Sequence, residues 1–341
     1  MEADKHEIKI LHKALDEWEQ TGRLAPEQAA SLRETIVPRH TGRQQIAQYF
    51  FFIALTCILL AFAALFLNEK LLEKLKAYFS LNDLTIALIS AALSVLWFWY
   101  TGRKKKATGT GAYEVYMVLG GLAVLTTLVY LCKYTHMYKT PTVLFGLSLP
   151  ILAALGQGFR SKALWIGAII AAICWYSSFT EWQSTGYRFL GMNYPMRFTA
   201  FSLVVLGVSF IQLKVQSLSF GRHITYVSGL ILLFTGLWGV SIFGNYSSFT
   251  IWQEVRQVQV LAWSFVFGLV AGLSFYLGIR FKDDLARDLG VLFLLINLYT
   301  RYFEYCWNSM NKGIFFLILA ITFGFVGWWL ERKRKPRNLP S

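Results

Sequence analysis

Charge is the first thing this sequence lacks. Only 15% of its 341 residues are Asp, Glu, Lys or Arg, against about a quarter in ordinary soluble domains. So few charges cannot cover the water-facing surface of a chain this long, which excludes a soluble globular enzyme. Reactive motifs are missing too. No Gly-rich phosphate loop leads into Lys-Ser or Lys-Thr, which argues against a fused nucleotide-driven motor. There is no HExxH, no Ser-Gly nucleophile elbow and no pair of intramembrane aspartates. Cysteine is scarce. Cys57, Cys132, Cys174 and Cys306 form no CxxC and no close Cys/His cluster, so neither a zinc site nor a disulfide framework is indicated. Cys132 and Cys306 both fall near the outer boundary of their spans, where a disulfide is sterically conceivable. No metal or other cofactor is expected. His136 and His223 fall near opposite faces of the expected topology and cannot share an ion.

Apolar and aromatic residues are what the sequence has in excess. They make up 55% and 17% of the chain, and mean hydropathy is +0.45, which excludes intrinsic disorder. Twelve Trp, 17 Tyr and 28 Phe are more than one soluble core holds. A helix needs about 20 apolar residues to cross the hydrocarbon of a bilayer. Ten runs approach that length: 47–67, 84–101, 113–131, 141–157, 162–178, 195–215, 223–243, 258–279, 285–305 and 313–331. The fourth and fifth are short, Pro150 interrupts the fourth, and the link through Gly156, Gly158 and Arg160 is tight. A re-entrant pair is the alternative there. The expected fold is an all-α, polytopic transmembrane bundle of about ten spans over residues 47–331. A basic cytoplasmic tail, 332–341, follows it. No internal repeat stands out.

Residues 1–46 are polar, and no apolar stretch follows a basic start, the pattern of a chain without a signal peptide. Ile8, Leu11, Leu15 and Trp18 recur at helical spacing on one face. Thr21-Gly22 stops that helix, and Ala25-Pro26-Glu27 starts another, with Pro in its first turn. Ala29, Leu32 and Ile36 form the second apolar face, and Pro38 and Gly42 end the unit. A short cytoplasmic helical hairpin results. Helices this short are not stable alone, so the hairpin needs a protein partner, a second copy of itself or the membrane surface.

Net charge is +14. With the N-terminus inside, roughly two-thirds of Lys and Arg fall on inner segments, notably Arg103 to Lys106 and Arg332 to Arg337. Both termini are then cytoplasmic, and the basic excess faces anionic lipid of an inner membrane rather than nucleic acid. Lys70, Lys74 and Lys76 run against this rule, but Glu69 and Glu73 share their stretch, as in an amphipathic surface helix.

Arg301-Tyr302-Phe303-Glu304 carries the sharpest site signal. Its two charges lie three apart on one helical face, within ion-pair reach. Charges at membrane depth face a cavity or a partner, so an outward pocket for a zwitterion or anion is one reading. A helix-end clamp whose Arg snorkels to the interface is the other. The outer loops 179–194 and 244–257 add Glu181, Trp182, Arg188, Trp252, Glu254 and Arg256, with Tyr187, Phe189, Tyr194, Tyr246 and Phe249 among them. Such a set could be a platform for a sugar, lipid headgroup or peptide, and it also has the composition of an interfacial aromatic belt. Glu114, after the Arg103 to Lys106 cluster, is either a proton relay or an interfacial carboxylate neutralised by its neighbours. The mixed charges from Arg280 to Asp288 read as a solvated inner turn. Gly268 and Gly272 form a GxxxG, a motif of close helix approach. Mid-span carboxylates are almost absent and Pro150 is the one clear breaker at depth, which disfavours ion-coupled transport.

The two ends resemble a family. Leu15-Asp-Glu-Trp18 with Gly22-Arg-Leu-Ala-Pro-Glu-Gln28-Ala is similar to the helix–Gly–helix opening of the bacterial predicted membrane proteins grouped as domain of unknown function 2157. Arg301 to Glu304, Lys312 to Phe316, Gly324 and Gly327 to Arg334 resemble that family's last two helices. These stretches, within 15–29 and 301–334, span about a seventh of the chain. The resemblance implies a polytopic bacterial inner-membrane protein and supplies no catalytic residue. A non-enzymatic sensing, scaffolding or regulatory protein is therefore expected. The alternative is a permease or flippase-like carrier of a small amphipathic solute, and an intramembrane enzyme ranks third.

Overall fold

The computed structural model describes residues 82–104, 110–137, 141–184 and 188–334, with shorter stretches before residue 62. The chain divides into two compact units, Met1–Tyr138 and Lys139–Ser341.

In the first unit, β1 (Glu2–Ala3) and β2 (Val37–Pro38) form a two-residue parallel pairing. Residues 14–19 are helical, α1 spans Pro26–Thr35 and residues 53–61 are helical. Leu15 and Ala29 are buried, whereas Trp18 and Leu32 are each 44% exposed. The expected apolar faces are thus covered only in part. Ile8, Gly22, Ile36 and Gly42 lie outside the described residues. Two long helices follow, α2 (Asp83–Lys104) and α3 (Thr110–Tyr134). Asn82 caps α2 by accepting from the Thr85 amide at 2.7 Å. The pair closes because Gly120 leaves room for the Phe98 ring, which a Cβ there would meet at 2.7 Å. Ser90 Oγ donates to the Ala123 carbonyl at 2.8 Å and Trp97 Nε1 to the Tyr116 carbonyl at 2.7 Å.

The second unit contains α4 (Pro141–Phe159), α5 (Lys162–Trp182), α6 (Tyr194–Lys214), a 3-10 turn (Gln216–Gly221) and α7 (Arg222–Phe243). The short α8 (Phe249–Gln253), α9 (Gln257–Arg280), α10 (Asp284–Cys306) and α11 (Lys312–Arg334) complete it. Helix α7 is the hub, packing against α5, α6, α9 and α10. Leu230, Leu233, Phe234 and Leu237 of α7 meet Phe267 and Ala271 of α9 and Ala286 and Phe293 of α10 in the core.

Two hairpins are built the same way. Arg160 (φ 50°) and Lys282 (φ 56°) are left-handed residues that end α4 and α9. The following amides, of Ser161 and Asp283, donate back to the carbonyls of Gly156 and Gly278 at 3.0 and 2.9 Å, closing a Schellman turn. Ser161 and Asp283 then cap α5 and α10 through their side chains. A Cβ on Gly156 would approach the Trp165 amide nitrogen to 3.0 Å, and one on Gly278 the Arg287 nitrogen to 2.4 Å. Both hairpins dock on adjacent residues of α7. Trp165 Nε1 donates to Thr225 Oγ1 at 3.0 Å, and the Tyr226 hydroxyl to Asp283 at 2.6 Å. We term this the turn end of the unit and the opposite one the loop end.

Among the described residues, seven helices are long and apolar enough to cross a membrane: α2 to α7 and α9. Their outward faces carry apolar side chains such as Leu93, Val95, Phe265 and Leu269, each more than half exposed. This is the build of an integral membrane protein. Of the ten expected runs, 47–67 lies only partly within the described residues. The ninth is helix α10, whose charged residues Asp284, Arg287, Asp288, Arg301 and Glu304 keep it out of the seven. The tenth, 313–331, falls within helix α11. The fourth and fifth runs are full helices. Helix α4 runs unbroken through Pro150, and its 19 residues reach about 28 Å. The GxxxG expectation needs correcting. Gly268 makes room for the Asn297 amide, which also donates to the Ser264 carbonyl at 3.0 Å, but nothing lies within 4 Å of a Cβ on Gly272. Close approach comes instead from Gly278 and from Gly290, whose Cβ would meet the Phe275 nitrogen at 2.7 Å.

Candidate functional site

At the loop end, the segments joining α5 to α6 and α7 to α8 are sewn together by two asparagines. Asn193 caps α6, its Oδ1 accepting from the Met196 amide at 3.3 Å. Its Nδ2 donates to the carbonyls of Gly244 (2.9 Å) and Tyr246 (3.2 Å). Asn245 answers by accepting from the Asn193 amide at 3.0 Å and donating to the Gly191 carbonyl at 2.9 Å. Gly244 makes this possible. Its backbone (φ 59°, ψ −149°) is open essentially to glycine alone, and the Tyr246 ring lies where a Cβ would stand. Arg188 adds a further stitch, donating from Nη2 to the Asn245 carbonyl at 2.8 Å.

Beneath these loops lies Arg197, fully buried in the first turn of α6. Its Nε donates to the Met192 carbonyl at 3.0 Å and its Nη1 to the Thr180 carbonyl at 3.4 Å. The guanidinium lies 4.8 Å from the centroid of the Tyr194 ring and 4.0 Å from Glu181 Oε2. The Tyr194 hydroxyl donates to the same carboxylate oxygen. Arg197 thus ties the end of α5 to the start of α6. A guanidinium suits the task because its fork reaches several acceptors at once.

The Arg301–Glu304 pair lies on α10, facing α7 and the α8–α9 connection. The two side chains form an ion pair and are only 12% and 15% exposed. Arg301 Nη2 also donates to the Ser241 carbonyl at the end of α7, at 3.0 Å. One turn away, Trp238 Nε1 donates to Thr300 Oγ1 at 3.0 Å. Glu304 stands in the wall of a 530 Å³ cavity with Trp252, Gln253, Gln257, Trp307 and Asn308. Trp252 is fixed by donating Nε1 to the Ile242 carbonyl at 2.8 Å and by packing on Phe243 and Phe249. It also lines a 620 Å³ cavity formed with Tyr194, Pro195, Tyr246 and Phe249. Trp252 therefore stands between the two spaces.

The structure brings three of the expected site residues, Arg301, Glu304 and Trp252, to one place. The clamp and pocket readings divide between the charged pair: Arg301 joins α10 to α7, and Glu304 faces a cavity. Glu181 belongs to the Arg197 cluster and Arg188 to the loop stitch. Trp182 is 70% exposed, and Glu254 and Arg256 are exposed and line none of these cavities. Arg197, Asn193 and Asn245 are the residues the sequence reading missed. All four cysteines are free thiols. Among the described residues, no group of three or more His, Cys, Asp or Glu could hold a metal ion. Compared with known proteins, the chain matches no family model, no curated protein and no solved structure.

Proposed function

We propose that this chain is a non-enzymatic, multi-pass membrane protein that senses, scaffolds or regulates, and that its loop end is an outward-facing vestibule. The observation that carries the vestibule is the Glu304 carboxylate, placed in a cavity wall between tryptophans and amides. Pockets of a few hundred Å³ with aromatic walls and few polar groups are the usual form of a small-molecule site. In this reading the chain has about ten spans, with residues 47–67, α10 and α11 joining the seven apolar helices. Both termini are cytoplasmic, in a bacterial inner membrane, as the Lys/Arg asymmetry and the likeness of the two ends to the 2157 family support. The 1–46 hairpin is the contact for a protein partner or a second copy.

Single cysteines on a chain stripped of its own four thiols test the arrangement. Gln253→Cys and Gln257→Cys should react with a membrane-impermeant maleimide in intact cells. Arg160→Cys and Lys282→Cys should react only after permeabilisation. The same side for both sets would end the vestibule reading. Deleting residues 1–40 tests the hairpin, whose loss should remove the co-purifying partner or the self-association. An unchanged partner list would count against it.

A carrier of a small amphipathic solute is the second reading. It is favoured by α11, which meets α10 through stacked rings, Tyr299 on Phe323 and Tyr302 on Phe315, with 4.4 and 4.7 Å between centroids. Stacked rings can slide past one another, and the bonds from Tyr302 to the Phe315 carbonyl and from Tyr299 to Thr322 are what such a shift would break. A carrier would make Gln257→Cys reactive from each side in turn, whereas a sensor keeps it on one.

A further inference from the structure

The cavity beside Glu304 does not end at the loops. Two of its wall residues, Thr300 and Phe303, also line a second cavity of 470 Å³ between α10 and α11. Leu292, Leu295, Ile296, Tyr299 and Phe323 complete that second wall. Its hydroxyls are already engaged. Tyr299 donates to Thr322 Oγ1 at 3.3 Å; Thr300 donates to the Ile296 carbonyl at 2.7 Å and accepts from Trp238. A space that offers no free hydrogen-bonding group suits hydrocarbon rather than water. Along α10, Leu292 and Glu304 are about 18 Å apart. A polar mouth therefore adjoins an apolar slot running down one helix, and the ring of Phe303 divides them.

The mouth also restricts the chemistry of a head group. Gln253, Gln257 and Asn308 both donate and accept, whereas the Glu304 carboxylate only accepts. Among the described residues Glu304 is the one charged member of the wall, and Arg301 already meets its charge. An anionic head would face this carboxylate. A cationic head would compete with Arg301 for this carboxylate and be repelled by Lys312, whose ammonium lies behind the wall residue Trp307, donating to its carbonyl and 4.0 Å from its ring centroid. Hydroxyl groups, which donate and accept like the amides, suit the set. Trp252, Trp307 and Phe303 offer flat apolar faces to the carbon skeleton of a sugar-like ring.

We infer that the two cavities form one site for a single-chain amphiphile with an uncharged polyhydroxyl head. The head sits beside Glu304 and the chain lies between α10 and α11. This rests on the vestibule reading and names its ligand class.

The test uses the full chain in lipid nanodiscs and an octyl glucoside bearing a photoreactive diazirine near the end of its chain. Cross-links are mapped by peptide mass spectrometry. Labelling should saturate and centre on residues 292–303 and Phe323. Unlabelled octyl glucoside should compete at least tenfold better than octyl sulfate or octyl trimethylammonium, which share its chain. Leu295→Trp, which fills the slot, should abolish saturable labelling. Gln257→Leu, at the mouth, should raise the concentration needed about tenfold, the equivalent of about 1.4 kcal/mol, without moving the labelled residues. Labelling spread over every lipid-facing helix without saturation would overturn the inference, and equal competition by the charged octyl compounds would overturn the head assignment. Free glucose separates the two levels of the argument. If it alone stabilises the protein against heat while the photoprobe labels diffusely, the vestibule stands and the chain slot falls. If neither acts, both fall.

Discussion

The Arg301–Glu304 pair allows a quantitative prediction because it is nearly buried and has few other partners. Replacing Arg301 with Met strands the Glu304 carboxylate, 15% exposed, and removes the donor from the Ser241 carbonyl. Breaking one side of a buried pair costs about 3–5 kcal/mol, and the upper half of that range is expected here because the carbonyl is orphaned too. Glu304→Gln keeps the shape and leaves Arg301 its bond to Ser241, so about 2–3 kcal/mol is expected. The double variant leaves no unpaired charge. Replacing a whole buried pair with apolar or neutral groups is often neutral or stabilising, so the double variant should lose no more than about 2 kcal/mol, chiefly from the Ser241 carbonyl. The cycle should therefore show a coupling of at least about 4 kcal/mol. Reversible unfolding in mixed micelles by increasing fractions of dodecyl sulfate measures each corner, read by circular dichroism. Additive single and double losses would mean that the pair is solvated in the bilayer-embedded protein. The burial argument would then be wrong.

Three further outcomes follow from the same structure. Arg197→Met should destabilise the second unit by about 1–3 kcal/mol, since it removes the side-chain donor to the Thr180 carbonyl and leaves the Met192 carbonyl only the Phe189 amide. It should also speed proteolysis between residues 188 and 193; Arg197→Lys should recover only part of the loss, and wild-type resistance in Arg197→Met would refute the clamp. Gly278→Ala should cost about 1–3 kcal/mol, because its Cβ would sit 2.4 Å from the Arg287 nitrogen. Gly272→Ala, with open space around it, should be neutral or stabilising by up to about 1 kcal/mol; the reverse order in thermal melts would restore the GxxxG as the contact. Tyr226→Phe removes the 2.6 Å bond to Asp283 and should cost about 1 kcal/mol. Its effect should appear as faster hydrogen exchange in the first turn of α10 and nowhere at the loop end.

Spans are legible in a sequence because hydrocarbon imposes one simple demand, a continuous apolar length. That demand is why α2 to α7 and α9 coincide with predicted runs. The same measure is silent on which face of a helix meets a neighbour, which is where the reading of Gly268 and Gly272 failed. A GxxxG states that a smooth patch exists, but whether anything packs there depends on the rotation of α9 against α10, which Ala271, Phe275 and Gly290 decide. Arg197 was illegible for a related reason. One arginine in the first turn of a span looks like an interfacial anchor, and the carbonyls of Met192 and Thr180 that hold it inward have no side-chain signature. The twin hairpins went unseen because their shared feature is conformational. Gly156 and Gly278, Phe159 and Phe281 match, but the left-handed position is Arg in one and Lys in the other, and the cap is Ser in one and Asp in the other. Trp252 and Glu304 are far apart in sequence, so their common cavity becomes visible only once α7, α9 and α10 are packed.

The distribution of polar groups between the two ends also carries weight. At the turn end, Ser161, Asp283, Thr225 and Tyr226 cap helices or join them, each an ordinary structural task. At the loop end, a chain with few charges buries one guanidinium and nearly buries an ion pair. A buried ion pair adds little net stability over apolar residues of the same shape, so the fold alone does not call for Arg301 and Glu304. The pair does fix the register of α10 against the end of α7 while leaving a carboxylate in a cavity wall. A clamp built on Arg301 needs a counter-ion for its guanidinium, but an apolar pair at 301 and 304 would seal the space and leave no charge to match. The carboxylate is therefore best explained by what the cavity holds, and Glu304→Leu is the decisive substitution. Combined with Arg301→Met it should cost no more than the roughly 2 kcal/mol of the orphaned Ser241 carbonyl, and it should abolish saturable amphiphile binding. Retained binding in that double variant would return Glu304 to a purely structural role.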